Sequence, residues 1–323
     1  MKKLMENTVF KKAISLAVTF GVIQLLISTG IINPFIMDTL TTICINIILA
    51  VSLNLITGFT GQFSLGHAGF MSIGAYTCTI ITLRMPTTLG FIIGLVAGAI
   101  LAALVGILVG LPTLRLRGDY LAIATLGMAE IIRIVFLNLE ITNGAAGLFS
   151  ANQYVNWFWL FLFTAGTVIL ITNFINSSHG RACISIREDE IAAEAMGINA
   201  TKYKVTAFVM GAFFAGIAGS IHSSYFYFIK PDLFGFLKSI NILVIVVLGG
   251  MGSISGSIVA AVLLAIISTA LQSIPELQMV IYSIMLIVIM LFRPQGLLGS
   301  KELSLSLVKK WGSVFQRRNG GEA

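Results

Sequence analysis

Long apolar runs separated by short polar segments set the pattern of this chain. Ten stretches approach the roughly 20 apolar residues that a membrane-spanning helix needs. They are 13–32, 36–56, 65–83, 90–110, 118–137, 157–175, 205–226, 238–250, 256–273 and 276–292. The eighth is short and ends in glycine. The runs are too long for strands, and the alternation over about ten residues that marks an outer-membrane barrel is absent. The pattern predicts an all-α fold: a polytopic helical membrane protein of about ten transmembrane helices. Residues 1–300 read as a single transmembrane domain and 301–323 as a basic tail.

Composition agrees, with 57% hydrophobic and 10% charged residues, whereas soluble domains carry about 25% charge. Lys2, Lys3, Lys11 and Lys12 precede the first run as they would precede a signal peptide. That run is longer than the 7–15 residues of a signal core, and no A-x-A-like site follows it. It reads as an uncleaved first span that starts inside. Lys and Arg accumulate on the cytoplasmic side of spans. With the N-terminus inside, Arg115, Arg117, Arg181, Arg187, Lys202, Lys204, Arg293, Lys301, Lys309, Lys310, Arg317 and Arg318 join the first four lysines on the inner side. Only Arg84, Lys230 and Lys238 fall outside, and Arg133 lies within a span. The skew predicts cytoplasmic N and C termini. It also accounts for the net charge of +7 without a nucleic acid. Cys44, Cys78 and Cys183 show no C-x-x-C spacing, and no disulfide is expected.

A polar island, Gly180 to Lys204, stands between the sixth and seventh runs. It reads as a cytoplasmic helical hairpin over about 176–204. Glu188, Asp189 and Glu190 suit the first turn of a helix, where the dipole favours negative charge. Ala192, Ala193, Ala195 and Met196 give a small face. Gly197 fits a C-terminal cap, and Asn199 caps the next helix. A merely solvated helix would carry long polar residues there, so the small face predicts a protein partner.

Three glycine-rich stretches interrupt the spans: Gly58–Gly69, Thr142–Gly147 and Gly249–Ser257. Irregular backbone survives at membrane depth only where protein or a watery cavity satisfies it, and transporters place substrate sites at broken helices. Small residues also let helices approach closely. Both readings stand for Gly61, Gln62, Ser64, Gly66 and His67, and for Gly250 and Ser253. Glu130 and Arg133, three residues apart on the fifth span, form an intramembrane polar pair that is either structural or in a path. Asp119 reads as the cap of that helix.

Gly61 to Gly66 has the G-x-x-x-x-G frame of a phosphate loop, but His67 and Ala68 stand where Lys and Ser/Thr are required. Nucleotide binding by this chain is therefore not expected. His67, His179 and His222 are far apart in sequence, H-E-x-x-H is absent, and no nucleophile pairs with a base. Neither a metal site nor catalysis is expected.

At this point the residues carry a family. G-Q-F-S-L-G-H-A-G-F (Gly61–Phe70), G-D-Y-L-A-I-A-T-L-G (Gly118–Gly127), E-I-I-R (Glu130–Arg133), G-R-A (Gly180–Ala182), I-R-E-D-E-I-A-A (Ile186–Ala193), V-V-L-G-G-M-G-S (Val246–Ser253) and F-R-P-Q-G-L (Phe292–Leu297) run nearly end to end. With them the chain resembles the M-type permease subunits of bacterial branched-chain amino acid ABC transporters. Permeases for urea and short amides look similar.

The resemblance implies one permease domain in a bacterial cell membrane, similar to the larger, vitamin B12 type of ABC importer permease. It implies a homologous second permease, two cytoplasmic ATP-binding subunits that hold the ATP and Mg, and an extracytoplasmic amino-acid-binding protein. The hairpin would be the element that couples to an ATPase, through Arg187, Glu188, Glu190, Ala193, Glu194 and Gly197. Lys230 and Lys238, in an outer loop from Tyr227 to Ser239, would meet the binding protein. A stand-alone, ion-coupled secondary transporter is the contrasting reading, supported by Glu130 and the broken helices.

Overall fold

The computed structural model describes residues 18–274, apart from Arg115, Arg117, Ala151 and Ser273, and scattered positions between 280 and 299. The tenth predicted span falls largely outside the described residues. The tail at 301–323, Arg293 and the four N-terminal lysines fall wholly outside them.

Helices follow the apolar runs. They are α1 (Val18–Ser28), α2 (Pro34–Asn54), α3 (His67–Arg84), α4 (Thr88–Thr113), α5 (Asp119–Asn138) and α6 (Trp157–Asn176). After them come α7 (Ser178–Glu188), α8 (Glu190–Ala195), α9 (Ala200–Phe226), α10 (Phe236–Gly249) and α11 (Ile254–Ala270). Among the described residues, six segments are long and apolar enough to cross a membrane: Pro34–Phe59, Thr88–Thr113, Asp119–Asn138, Trp157–Asn176, Ala200–Phe226 and Pro231–Gly249. α11 is shorter, at 17 residues. α3, with His67 and Arg84 at its ends, is only 18 residues long.

Close backbone approach holds α3, α4 and α9 together. A Cβ at Gly74 would stand 2.0 Å from the carbonyl oxygen of Gly216, and one at Gly98 would stand 3.0 Å from that of Gly74. Ser220 Oγ donates to the Gly74 carbonyl at 3.1 Å. Without a hydrophobic drive between helices in lipid, such small-residue contacts and interhelical hydrogen bonds carry association. α2 packs on α9, α11 and α6 and is the most buried span, 72% of its most apolar window being enclosed. α5 and α6 lie at the margin, at 22% each.

At the end away from the α7–α8 hairpin, β1 (Leu148–Phe149) pairs antiparallel with β2 (Phe228–Ile229). This ribbon ties the 139–156 connection to the segment after α9. That segment, expected as an outer loop over Tyr227 to Ser239, is structured. It runs from β2 through a 3-10 turn, Pro231–Phe234, into α10, and it places Lys238 in the first turn of a helix. Asp119 is also corrected. It is the first residue of α5 behind Gly118 (φ +57°), and no side chain caps that helix.

Candidate functional site

The hairpin is built from local caps. Ser177 Oγ accepts from Gly180 N at 3.4 Å and starts α7. The chain breaks at Asp189, whose carboxylate accepts from Ala192 N at 3.0 Å and starts α8. Gly197 turns the chain at φ +85°, and Asn199 Oδ1 accepts from Lys202 N at 2.9 Å to start α9. Ile186, Ala193 and Ala200 form a small core of their own, with Ile198 and Tyr203 against it. Burial pushes the Cys183 thiol up to about 11, and Cys44, Cys78 and Cys183 are all free.

This folding divides the expected docking residues. Ala193 is enclosed in the hairpin core, so it does not offer a surface. Its Cβ cannot meet a partner without unpacking Ile186. Glu190 is turned toward α9, where it pairs with Lys204 Nζ at 2.7 Å. Glu188, Glu194 and Gly197 are exposed. The tip is apolar: Ile191 is 71% and Met196 83% exposed.

Arg187 points inward. Its Nη1 donates to the carbonyl oxygen of Gly58 at 2.8 Å, while Nε and Nη2 hold Glu188 Oε1 at 3.1 and 2.5 Å. The acceptor is available because α2 widens into a π-turn, Leu55–Phe59, a form that breaks the regular i→i−4 ladder. Gly58 also lies under Asn54. Asn54 Nδ2 donates to Ser253 O at 2.9 Å and to Ser257 Oγ at 2.8 Å, and its Oδ1 accepts from Gly252 N at 2.9 Å. A Cβ at Gly58 would stand 1.8 Å from Asn54 Oδ1 and 2.3 Å from Gly252 N. At Gly252 (φ +89°) it would stand 2.9 Å from Arg187 Nη1. One polar joint thus unites the hairpin, the first glycine-rich stretch and the third. Gly250 (φ +111°) starts the turn between α10 and α11, and Ser253 caps α11 by accepting from Gly256 N.

Beyond the joint the chain runs without helix from Thr60 to Gly66. Leu65 N is held by Thr125 Oγ1 at 3.1 Å, and Gly66 N by Ser64 Oγ at 3.4 Å. His67 Nε2 meets Ser52 Oγ at 2.8 Å, and Ala68 N donates to Ser239 Oγ at 3.2 Å. Both amide atoms of Gln62, 2% exposed, have no hydrogen-bond partner, and neither does His67 Nδ1. A buried polar group without a partner costs about 1–3 kcal/mol. α3 therefore begins in a segment whose polar groups are only partly satisfied.

Residues 35–290 match the family described as "Branched-chain amino acid transport system / permease component". The chain belongs to this family. This permease component is 36% identical over 305 residues to the high-affinity branched-chain amino acid transport system permease protein LivM of Salmonella typhimurium, covering 84% of this chain and 71% of the relative. The high-affinity branched-chain amino acid transport system permease protein LivH of that organism is 33% identical over 168 residues, 50% of this chain and 53% of the relative. Within the family the likeness is therefore to the M type. A solved structure, PsaBC from Streptococcus pneumoniae in complex with Fab, aligns at TM-score 0.46 and 14% identity, over 83% of this chain and 95% of that one. A score of that size carries no argument.

In this permease component Glu130 and Arg133 pair as their spacing predicts, Arg133 Nε donating to Glu130 Oε2 at 2.7 Å. The structure adds Asp232, whose Oδ1 accepts from Arg133 Nη1 at 3.1 Å. Asn54 also went unnoticed in the sequence. An amide near the end of a long apolar run was the available signal, because polar groups in a span need partners. Among the described residues no cluster of three or more His, Cys, Asp or Glu could hold a metal ion.

Proposed function

We propose that this permease component is one of two homologous membrane subunits of an ATP-driven importer of branched-chain, aliphatic amino acids in a bacterial cell membrane. Two cytoplasmic subunits bind and hydrolyse ATP with Mg, and an extracytoplasmic binding protein delivers the amino acid. The subunit crosses the membrane ten times with both ends in the cytoplasm, in the manner of the vitamin B12 type of importer permease. The lysine and arginine skew supports this topology. Permeation of urea or short amides is the alternative substrate reading.

The observation that carries the reading is the hairpin tip. Ile191 and Met196 stand exposed on and just after the short α8, beside exposed Ala192 and Ala195, while Ala193 packs into the hairpin core. Large exposed apolar side chains on a projection mark a protein contact. Docking there moves the hairpin, and Arg187 passes the movement to Gly58 and the broken segment behind it. Cross-linking tests it. A cysteine at Ile191 or Met196 is expected to cross-link to the ATPase subunit in the assembled complex. Absence of any cross-link, together with amino acid uptake by this chain alone under an ion gradient, would favour the secondary-transporter reading instead.

A further inference from the structure

Lys238 sits in the first turn of α10, inside the apolar segment Pro231–Gly249. It is half-buried, and it makes no ion pair or hydrogen bond through its ammonium group among the described residues. α10 itself starts behind Gly235 with no side-chain cap, so the positive end of its dipole adds to the lysine charge. On the other side of Gly235 lies the opposite excess. Arg133 is held by two carboxylates, Glu130 at 2.7 Å and Asp232 at 3.1 Å. A Cβ at Gly235 would stand 3.7 Å from Arg133 Cδ.

Two further polar atoms border the same place. Tyr76 is fully buried, and its Oη has no hydrogen-bond partner; neither has His222 Nδ1. Phe234 joins them, its ring centroid 6.4 Å from that of Tyr76 and 5.8 Å from that of His222. Asp232 lies within electrostatic reach of Tyr76, and Lys238 within reach of His222. Phe136 stacks on Tyr76 at 4.5 Å. An unpaired cation, a carboxylate excess, two unpartnered polar atoms and an aromatic wall therefore surround the Pro231–Phe234 turn.

We propose that this cluster is a binding site for a zwitterionic α-amino acid, with Lys238 and the start of α10 taking its carboxylate and Asp232 with Glu130 taking its ammonium. The four side chains sum to no net charge, yet the charges are held apart. A simple anion or cation would neutralise one side only, and uncharged urea or an amide would neutralise neither. A ligand that carries both charges compensates both, which matters where unpaired ions are costly. The rings of Phe234, Tyr76 and Phe136 suit an aliphatic side chain. The site rests on the reading of the chain as an amino acid permease and deepens it.

The test uses the whole transporter reconstituted in vesicles, with labelled leucine delivered by its binding protein. Lys238→Met is expected to lower leucine import more than tenfold while subunit assembly and the ATPase response to loaded binding protein persist. Lys238→Arg is expected to recover import to within about threefold. Unchanged import in Lys238→Met overturns the site while leaving the permease reading intact. Loss of the second permease from the Lys238→Met complex also overturns it, because Lys238 would then pair with an acid of that subunit. A wild-type transporter that moves urea or acetamide and no amino acid would overturn the reading beneath the site.

Discussion

Two polar clusters in this molecule differ in how completely their groups are matched. At the joint, the side-chain amide of Asn54 is bonded through both its oxygen and its nitrogen, and Arg187 joins Gly58 and Glu188. Around the Pro231–Phe234 turn, Tyr76 Oη and His222 Nδ1 have no hydrogen-bond partner, and Lys238 makes no ion pair among the described residues. A satisfied buried network fixes one geometry and moves as a unit. An unsatisfied one carries a cost of about 1–3 kcal/mol per group that a bound partner would relieve. The joint is the part proposed to transmit movement, and the far cluster the part proposed to hold a ligand.

The largest expected effect lies in the packing that both clusters depend on. Gly74→Leu would drive a side chain into the Gly216 backbone, and the protein is expected to be lost from the membrane fraction on immunoblots. Asn54→Leu comes next. It leaves Gly252 N without its acceptor, at about 1–3 kcal/mol, whereas Ser253 O keeps the bonds from Ser257 N and Oγ. The melting temperature of the detergent-purified protein is expected to fall by several degrees, whereas an unshifted melting curve would mean that the joint is loosely made.

Smaller effects sharpen the same contrast. Glu188→Gln removes an acid that is 67% exposed, so it is expected to change stability by less than about 1 kcal/mol in the same melting assay. Cys183 offers the mildest test. With its thiol pushed up to about 11, only about one molecule in 1,000 is thiolate at pH 8, and the thiolate is the reactive form. Maleimide labelling of Cys183 is expected to be negligible at pH 7 and to rise about tenfold per pH unit above that. Fast labelling at pH 7 would show that the hairpin core opens.

Much of the fold was legible in the chain because its causes are local. Apolar runs located α2 to α6 and α9 to α11 to within a few residues. Gly197 and Asn199 marked the end of α8 and the start of α9 through turn and cap chemistry that needs only near neighbours. The site was less legible because its contacts are long-range. Asn54 meets Ser253 across 199 positions, and Arg187 meets Gly58 across 129. No local rule says whether an arginine on a polar hairpin turns to solvent or inward. The Pro, Asp and Gly of 231–235 read as part of an outer loop, and pairing of β2 with β1 and packing of Phe234 on Tyr76 fold that loop down.

The proposed coupling runs through Arg187, which joins the hairpin to the broken helix. The direct measurement is leucine imported per ATP hydrolysed by the reconstituted transporter carrying Arg187→Ala. Hydrolysis is expected to persist while import per ATP falls at least tenfold, with Arg187→Lys in between. An unchanged ratio of import to hydrolysis in Arg187→Ala would contradict the account.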